Sequence, residues 1–232
     1  MPFVHVKDFE LQEMECVTTE RGRTYLTPEG NKLPSVTTIL SILSRKGIAE
    51  WRAKVGEEEA NRISFRASTR GTAVHEICEK YVNNDEDYAY TDAGVKRTPD
   101  LIASFNALKP ILDTRLTKVY AQEVPLYSNH LGVAGRVDCV GIFDGKLSII
   151  DYKTSRKPKQ ARYIHAYFMQ ETFYAIAWEE LTKMPITQLV TIISVDGADA
   201  QVFIEHRDNW VRPLRETIAK FTAEQEANNT LF

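Results

Sequence analysis

The sequence predicts an α/β protein in which a central mixed β-sheet is flanked by helices, behind a helical N-terminal region. Apolar residues recur mainly at helical spacing up to about residue 116, and from Lys118 onward they alternate as in strands. The Asp144-Gly145 pair between two β-type runs predicts a tight hairpin. Helix and strand patterns then alternate, as expected when helices pack on a sheet.

The N-terminal half is predicted to begin with short strands or loops and to continue as helices. Apolar and polar residues alternate poorly over residues 1–33, and a cluster of turn-forming residues lies at 27–31. Ser35 is expected to cap a helix over 36–43. Further predicted segments are helices over 48–66, 69–82 and 99–116, the last one kinked or divided at Pro110, and an exposed acidic loop over 83–96.

The C-terminal half is predicted to build the sheet. The expected elements are strands over 118–127, on both sides of the hairpin turn, and over 189–195 and 200–206, with a long amphipathic helix over 160–182 and a final helix from Asp208 to about 226. We therefore divide the chain into a region over 1–68 that covers a cleft and a core over 69–232.

Composition limits the classes of protein to consider. The chain has 232 residues and a formal net charge of −3, which argues against a generally basic nucleic-acid coat protein but allows a local basic groove. Its three cysteines lack the CxxC spacing of zinc or iron–sulfur sites. No apolar run is long enough for a bilayer, and no signal or transit peptide is recognisable. We expect a cytoplasmic protein without membrane contact.

The hairpin carries the chemistry that the sequence reveals first. With Asp144 and Gly145 as its loop, Phe143 faces Lys146, and counting outward places Asp138 opposite Asp151. Two like charges in that position repel, and a divalent cation between them would remove the conflict. The alternative is an exposed hairpin with two solvent-facing acids.

Asp138, Asp151 and Lys153 together are suited to phosphodiester hydrolysis. Carboxylate oxygens are the ligands that Mg²⁺ or Mn²⁺ prefer, and Lys153 would orient a water or stabilise developing negative charge. His75, one helical turn after Gly71, is a candidate ligand, although a partly buried histidine without a metal is the alternative. Glu123 is a candidate for completing the cluster or orienting a ligand, and Glu76 and Glu79 are expected to be surface charges.

A basic segment follows Lys153. It contains Arg156, Lys157, Lys159 and Arg162, and no acidic residue occurs from Tyr152 until Glu171. Cations concentrated beside a metal site would attract a polyanion, whereas most charge runs are simply solvated. Gln170 and Tyr174 lie one helical turn apart, so both side chains can face the site.

Five motifs of this sequence, in their order along the chain, resemble those of the PD-(D/E)XK nuclease superfamily, in its RecB-like branch. The motifs are Gly71 to His75, Glu123, Gly135 to Asp138, Asp151 to Lys153, and Gln170 with Tyr174. The hairpin and its continuation through Thr154, Ser155 and Pro158 resemble the group of mitochondrial genome maintenance exonucleases and their phage relatives. Residues 34–37 resemble the N-terminal region of that group. The proline of the superfamily's name is absent here.

The resemblance implies a restriction-endonuclease-like core and a Mg²⁺- or Mn²⁺-dependent DNA exonuclease that prefers single strands with a free end. It implies His75, Asp138, Asp151 and the backbone carbonyl of Tyr152 as metal ligands, with Glu123 as a further candidate, and Lys153 as the catalytic lysine. Contacts to DNA are assigned to the following residues: Arg136, Thr154, Ser155, Arg156, Lys157, Lys159, Gln170 and Tyr174. The resemblance further implies a monomer that acts in DNA repair or recombination, in a bacterial or phage-infected cell, together with replication or recombination proteins.

Two other functions remain open from the sequence. One is a structure-selective or sequence-specific DNA endonuclease with the same site. The other is a DNA-binding partner in recombination or repair that has lost catalysis, against which the retention of both aspartates and the lysine argues.

Overall fold

The protein is described here by a computed structural model that covers residues 2–229. Residues 1 and 230–232, the outermost positions of the two predicted regions, lie outside the described residues. The helices are α1 (Val36–Leu40), α2 (Arg45–Val55), α3 (Glu57–Val82), α4 (Pro99–Arg115), α5 (His165–Thr182) and α6 (Asp208–Asn229). The strands are β1 (Val4–His5), β2 (Glu15–Thr19), β3 (Gly22–Leu26), β4 (Lys32–Pro34), β5 (Leu116–Ser128), β6 (Val133–Phe143), β7 (Lys146–Ser155), β8 (Gln188–Val195) and β9 (Gln201–His206).

The main sheet is mixed, which confirms the predicted α/β class. Within residues 2–229 its strand order is β1-β5-β6-β7-β8-β9, parallel at β1–β5 and β7–β8 and antiparallel elsewhere. The parallel pair β7–β8 is joined through α5, because parallel neighbours need a crossover. Strands β2, β3 and β4 form a separate small antiparallel sheet.

Helices cover both faces of the main sheet. On one face Ile77 of α3 and Phe105 of α4 are fully buried in the same cluster as Ile150 of β7. On the other face Trp178 of α5 and Leu214 of α6 join a second cluster. This three-layer packing buries apolar residues of α3, α4, α5 and α6 against the sheet, which is the physical reason for the flanked sheet. No helix among the described residues is long and apolar enough to cross a bilayer.

The hairpin forms with the predicted register. Asp144 and Gly145 have φ of 50° and 77°, as the favoured two-residue turn requires. The pairs run from Phe143–Lys146 to Cys139–Ile150, one position short of Asp138 and Asp151. The sequence therefore predicted correctly which residues of β6 and β7 lie side by side.

The predicted helices differ from the structure in three respects. The helix predicted over 48–66 is interrupted at Gly56, whose φ of 87° ends α2. Helix α3 then runs unbroken through position 68, the boundary drawn between the two predicted regions. Helix α5 begins at His165 rather than at 160, because the Gln201 side chain binds the main chain of Lys159. Pro110 lies inside an uninterrupted α4.

Of two other details, the helix cap at Ser35 agrees with the sequence and the amphipathic character of α5 does not. Ser35 caps α1 by accepting a hydrogen bond from the Thr38 amide. Helix α5 is less amphipathic than expected, since residues on most of its sides are buried between the sheet, α1 and α6.

Candidate active site

Three side chains from three elements form a candidate cation site. They are His75 of α3, Glu123 of β5 and Asp138 of β6, and their ligand atoms all lie within 4.8 Å of one another. We call these residues the ligand triad. One imidazole nitrogen and two carboxylates are a donor set that Mg²⁺ or Mn²⁺ accepts, so the residues present fit such an ion.

Asp138 is the fixed member of the ligand triad. It is buried, and its Oδ2 accepts a hydrogen bond from the Tyr152 amide at 2.8 Å and lies 3.2 Å from His75 Nδ1. Burial alone would raise the pKa of Asp138, but His75 and Lys153 outweigh it and lower the pKa. Asp138 is therefore held as an oriented carboxylate, ready to act as a ligand.

His75 and Glu123 hold protons more tightly than usual. Burial would lower the pKa of His75, but the Asp138 carboxylate raises it to about 8. Burial, with repulsion from Asp138 added, raises the pKa of Glu123 to about 7. A cation bound at the ligand triad would displace these protons and neutralise the two neighbouring carboxylates.

Asp151 lies beside the ligand triad but is held by other groups. It is 1% exposed, forms an ion pair with Lys153, and its Oδ1 lies 3.3 Å from Gln170 Nε2. Burial raises the pKa of Asp151 to about 6, and Lys153 opposes that effect. Asp138 is thus grouped with His75 and Glu123 in the ligand triad, and Asp151, the other predicted cation ligand, is paired with Lys153.

Lys153 is a buried cation between the two aspartates. Burial would lower its pKa, but Asp151 and then Asp138 outweigh it and raise the pKa. Its Nζ also lies 5.2 Å from the centre of the Tyr167 ring. Lys153 therefore stays charged at neutral pH and is suited to stabilising negative charge rather than to accepting a proton.

Gln170 and Tyr174 on α5 lie next to Asp151 and support its position. Gln170 Nε2 lies 3.3 Å from the Tyr174 hydroxyl as well as from Asp151, as the one-turn spacing predicted. A Cβ added at Gly135 would lie 2.9 Å from the Tyr174 ring and 3.2 Å from a methyl of Val36. Only glycine lets α1 and α5 approach β6 this closely, which gives the motifs around residues 34 and 135 a structural reason.

The basic segment after Lys153 lines one wall of a groove of about 860 Å³. Its residues on that wall are Thr154, Ser155, Arg156, Lys157 and Lys159. The opposite wall is the first half of α3, where Arg62, Arg66 and Arg70 recur every fourth residue. Thr154 on one wall directly follows Lys153, and Arg70 on the other wall lies little more than one helical turn before His75. The groove therefore adjoins the ligand triad.

Sequence reasoning missed two kinds of residue around the site. The α3 arginines are one, and their spacing of four was the available signal. Glu79, expected on the surface, is half-buried one turn after His75, and it raises the pKa of Glu123 further. Arg136, assigned to DNA contact, forms an ion pair with Glu13 at 2.6 Å. Glu76 is exposed and pairs with Arg97, as a surface charge does.

Comparison with known proteins identifies related chains. The family model of the PD-(D/E)XK nuclease superfamily matches residues 48–230. Mitochondrial genome maintenance exonuclease 1 of Homo sapiens is 27% identical over 151 residues, which are 62% of this chain and 40% of that protein. Its Mus musculus counterpart is 28% identical over 137 residues, 56% of this chain and 39% of that protein. The chain thus spans about two fifths of the length of these curated relatives.

A crystal structure of an exonuclease candidate from Eubacterium rectale is also similar. It aligns with a TM-score of 0.43 at 13% identity, over 64% of this chain and 63% of its own. The family match covers well over half of the sequence, including every element that carries the site. The superfamily indicated by the motifs is confirmed, and the chain belongs to the PD-(D/E)XK nuclease superfamily.

Proposed function

We propose that this nuclease is a Mg²⁺- or Mn²⁺-dependent exonuclease that hydrolyses phosphodiester bonds of single-stranded DNA from a free end. The observation that carries the proposal is the ligand triad of His75, Glu123 and Asp138 beside the Asp151–Lys153 ion pair. PD-(D/E)XK nucleases generally use divalent metals, and the donor set suits such an ion. The exonuclease names of the curated relatives support the same reaction.

Each residue of the site has a chemical task in this proposal. The ligand triad holds the cation, with the Tyr152 carbonyl and Asp151 as the further ligands that the superfamily resemblance implies. A cation held there would supply Lewis-acid chemistry, which would lower the pKa of an attacking water and neutralise phosphate oxygens. Lys153, which remains charged, stabilises the negative charge that develops on the phosphoryl group. Gln170 keeps the Asp151 carboxylate oriented.

The groove supports a polyanionic substrate. Arg62 and Arg70 are paired with Glu59 and Asp196, whereas Arg66 and Lys157 have no ion pair within residues 2–229. A protein with net charge −3 that concentrates cations in one groove has a local potential suited to a phosphate backbone. We assign backbone contacts to the segment from Thr154 to Lys159 and to the α3 arginines.

Exposed aromatic side chains support a single strand. Phe65 lies on α3 between two of the groove arginines, and Tyr163 follows the basic segment; each is 72% exposed. Aromatic rings stack on unpaired bases whatever the sequence, and a duplex hides its bases from such contacts. The first half of α3 belongs to the region 1–68, which in this proposal covers the cleft.

A panel of labelled oligonucleotides tests the proposal. The substrates are 5′- and 3′-end-labelled single strands, duplexes and a closed single-stranded circle, each with Mg²⁺, Mn²⁺ or EDTA. We expect metal-dependent degradation of linear single strands and an intact circle. Asp138→Asn should abolish cleavage, while Asp199→Asn, at an exposed aspartate outside the ligand triad, should retain it. A cleaved circle would indicate an endonuclease, and binding without cleavage would indicate a non-catalytic DNA-binding protein.

A further inference from the structure

Arg136 is engaged by protein atoms on both branches of its guanidinium. Nη2 lies 2.6 Å from Glu13 Oε2, and Nη1 donates to the main-chain carbonyl oxygen of Glu123. Glu13 belongs to the segment before β2 and is 123 residues away in sequence. The arginine, which lies on β6, therefore contacts both the N-terminal segment and the main chain of β5.

Glu123 has the backbone that needs such support. Its φ is 47°, in the left-handed region that residues other than glycine rarely adopt, and it lies inside a strand. Its neighbours Gln122 and Val124 remain paired with β6, opposite Cys139 and Val137. The distortion is thus confined to Glu123, directly across from Asp138. Such a conformation persists only where the surrounding structure enforces it, and it is typical of functional sites.

We propose that Arg136 is a positioning residue for the ligand triad. By binding the Glu123 carbonyl it holds the left-handed turn that directs the Glu123 carboxylate toward His75 and Asp138, and Glu13 anchors the arginine. A planar guanidinium can donate to a carbonyl and a carboxylate at once in a set geometry, which a lysine ammonium does poorly. The inference rests on the proposed function only in requiring a cation at the ligand triad. It gives Arg136 a role other than the DNA contact predicted from the sequence.

Binding of Mn²⁺ to the full chain without nucleic acid tests the inference. Mn²⁺ titration followed by electron paramagnetic resonance would compare the wild type with Arg136→Gln, Glu123→Gln and the double variant. Residues that orient metal ligands typically contribute about 10–100-fold in affinity, so Arg136→Gln should weaken Mn²⁺ binding by about 10-fold or more. If Arg136 acts through Glu123, the double variant should bind no more weakly than Glu123→Gln alone.

Matched variants separate positioning from general destabilisation. Arg207→Gln removes another partly buried arginine, one that pairs with Glu179 beside β9, and should leave Mn²⁺ affinity unchanged. Glu13→Gln replaces a carboxylate that is 71% exposed, so it should fold even if Arg136→Gln does not. It should weaken Mn²⁺ binding several-fold by releasing the arginine.

Several results would overturn the inference. Wild-type Mn²⁺ affinity in both Arg136→Gln and Glu13→Gln would do so, as would a loss that persists undiminished in the Glu123→Gln background. Affinity for a single-stranded oligonucleotide in EDTA should stay within about twofold in Arg136→Gln. A larger loss there, with Mn²⁺ binding intact, would make Arg136 a nucleic-acid contact instead. Failure of the wild type to bind Mn²⁺ would reject the proposed function together with the inference.

Discussion

Replacement of Glu123 by glutamine should stabilise the metal-free protein at alkaline pH. Burial, with the Asp138 charge added, raises the pKa of Glu123 from 4.5 to about 7, so ionisation of this carboxyl costs more free energy in the folded protein than in the unfolded one. A group whose pKa is raised by folding contributes stability below its unfolded pKa and loses it as pH rises through the folded value. The wild type should therefore lose stability between about pH 4.5 and 7, and Glu123→Gln should lose less.

The size of the effect follows from the two pKa values. The difference between about 7 and 4.5 corresponds to about 3 kcal/mol, at about 1.4 kcal/mol for each tenfold change in the dissociation constant. Solvent reaches part of this side chain and screens the charge, so we expect about 1–2 kcal/mol in the free energy of unfolding. For a chain of this size that raises Tm by about 4 °C.

Thermal unfolding in EDTA at pH 5 and at pH 8.5 measures this directly. Glu123→Gln should match the wild type closely at pH 5 and exceed it at pH 8.5, while Glu10→Gln, at an exposed glutamate, should follow the wild type at both. Saturating Mn²⁺ should reverse the order, because a ligand at 100 times its Kd adds about 2.7 kcal/mol to the protein that binds it. A variant less stable at pH 8.5, or equally stabilised at both pH values, would refute the assigned burial of the Glu123 carboxylate.

Three further predictions concern the ligand triad, the packing of Gly135 against Tyr174, and the groove. Mn²⁺ affinity should rise between pH 6 and pH 8.5, since the histidine and glutamate of the ligand triad must lose protons with pKa values of about 8 and 7; calorimetry showing no pH dependence would contradict this. Gly135→Ala should lower stability by about 1–3 kcal/mol, measured by urea unfolding, because its Cβ would lie 2.9 Å from the Tyr174 ring. Arg66→Gln with Lys157→Gln should weaken single-strand binding and reduce the salt slope of log K by about 1.4, whereas an unchanged slope would place the strand elsewhere.

Local patterns determined the hairpin and the residues it carries. Asp144-Gly145 accepts positive φ at both positions, and such a turn sets the register of the strands that leave it. Because side chains alternate along a strand, the positions of Asp138, Asp151 and Lys153 follow from counting. The cap at Ser35 was predictable for the same reason, since it depends on contacts within four residues.

Only the tertiary structure decided which partners these residues have. Asp138 shares its site with His75 and Glu123, and the left-handed φ of Glu123 has no signature in the sequence. Glu13 and Arg136 meet across 123 residues, and the α3 arginines face the basic segment only because α3 packs on the sheet beside β7. Spacing along a chain specifies neighbours within an element, whereas contacts between elements depend on how the buried faces of all of them pack together.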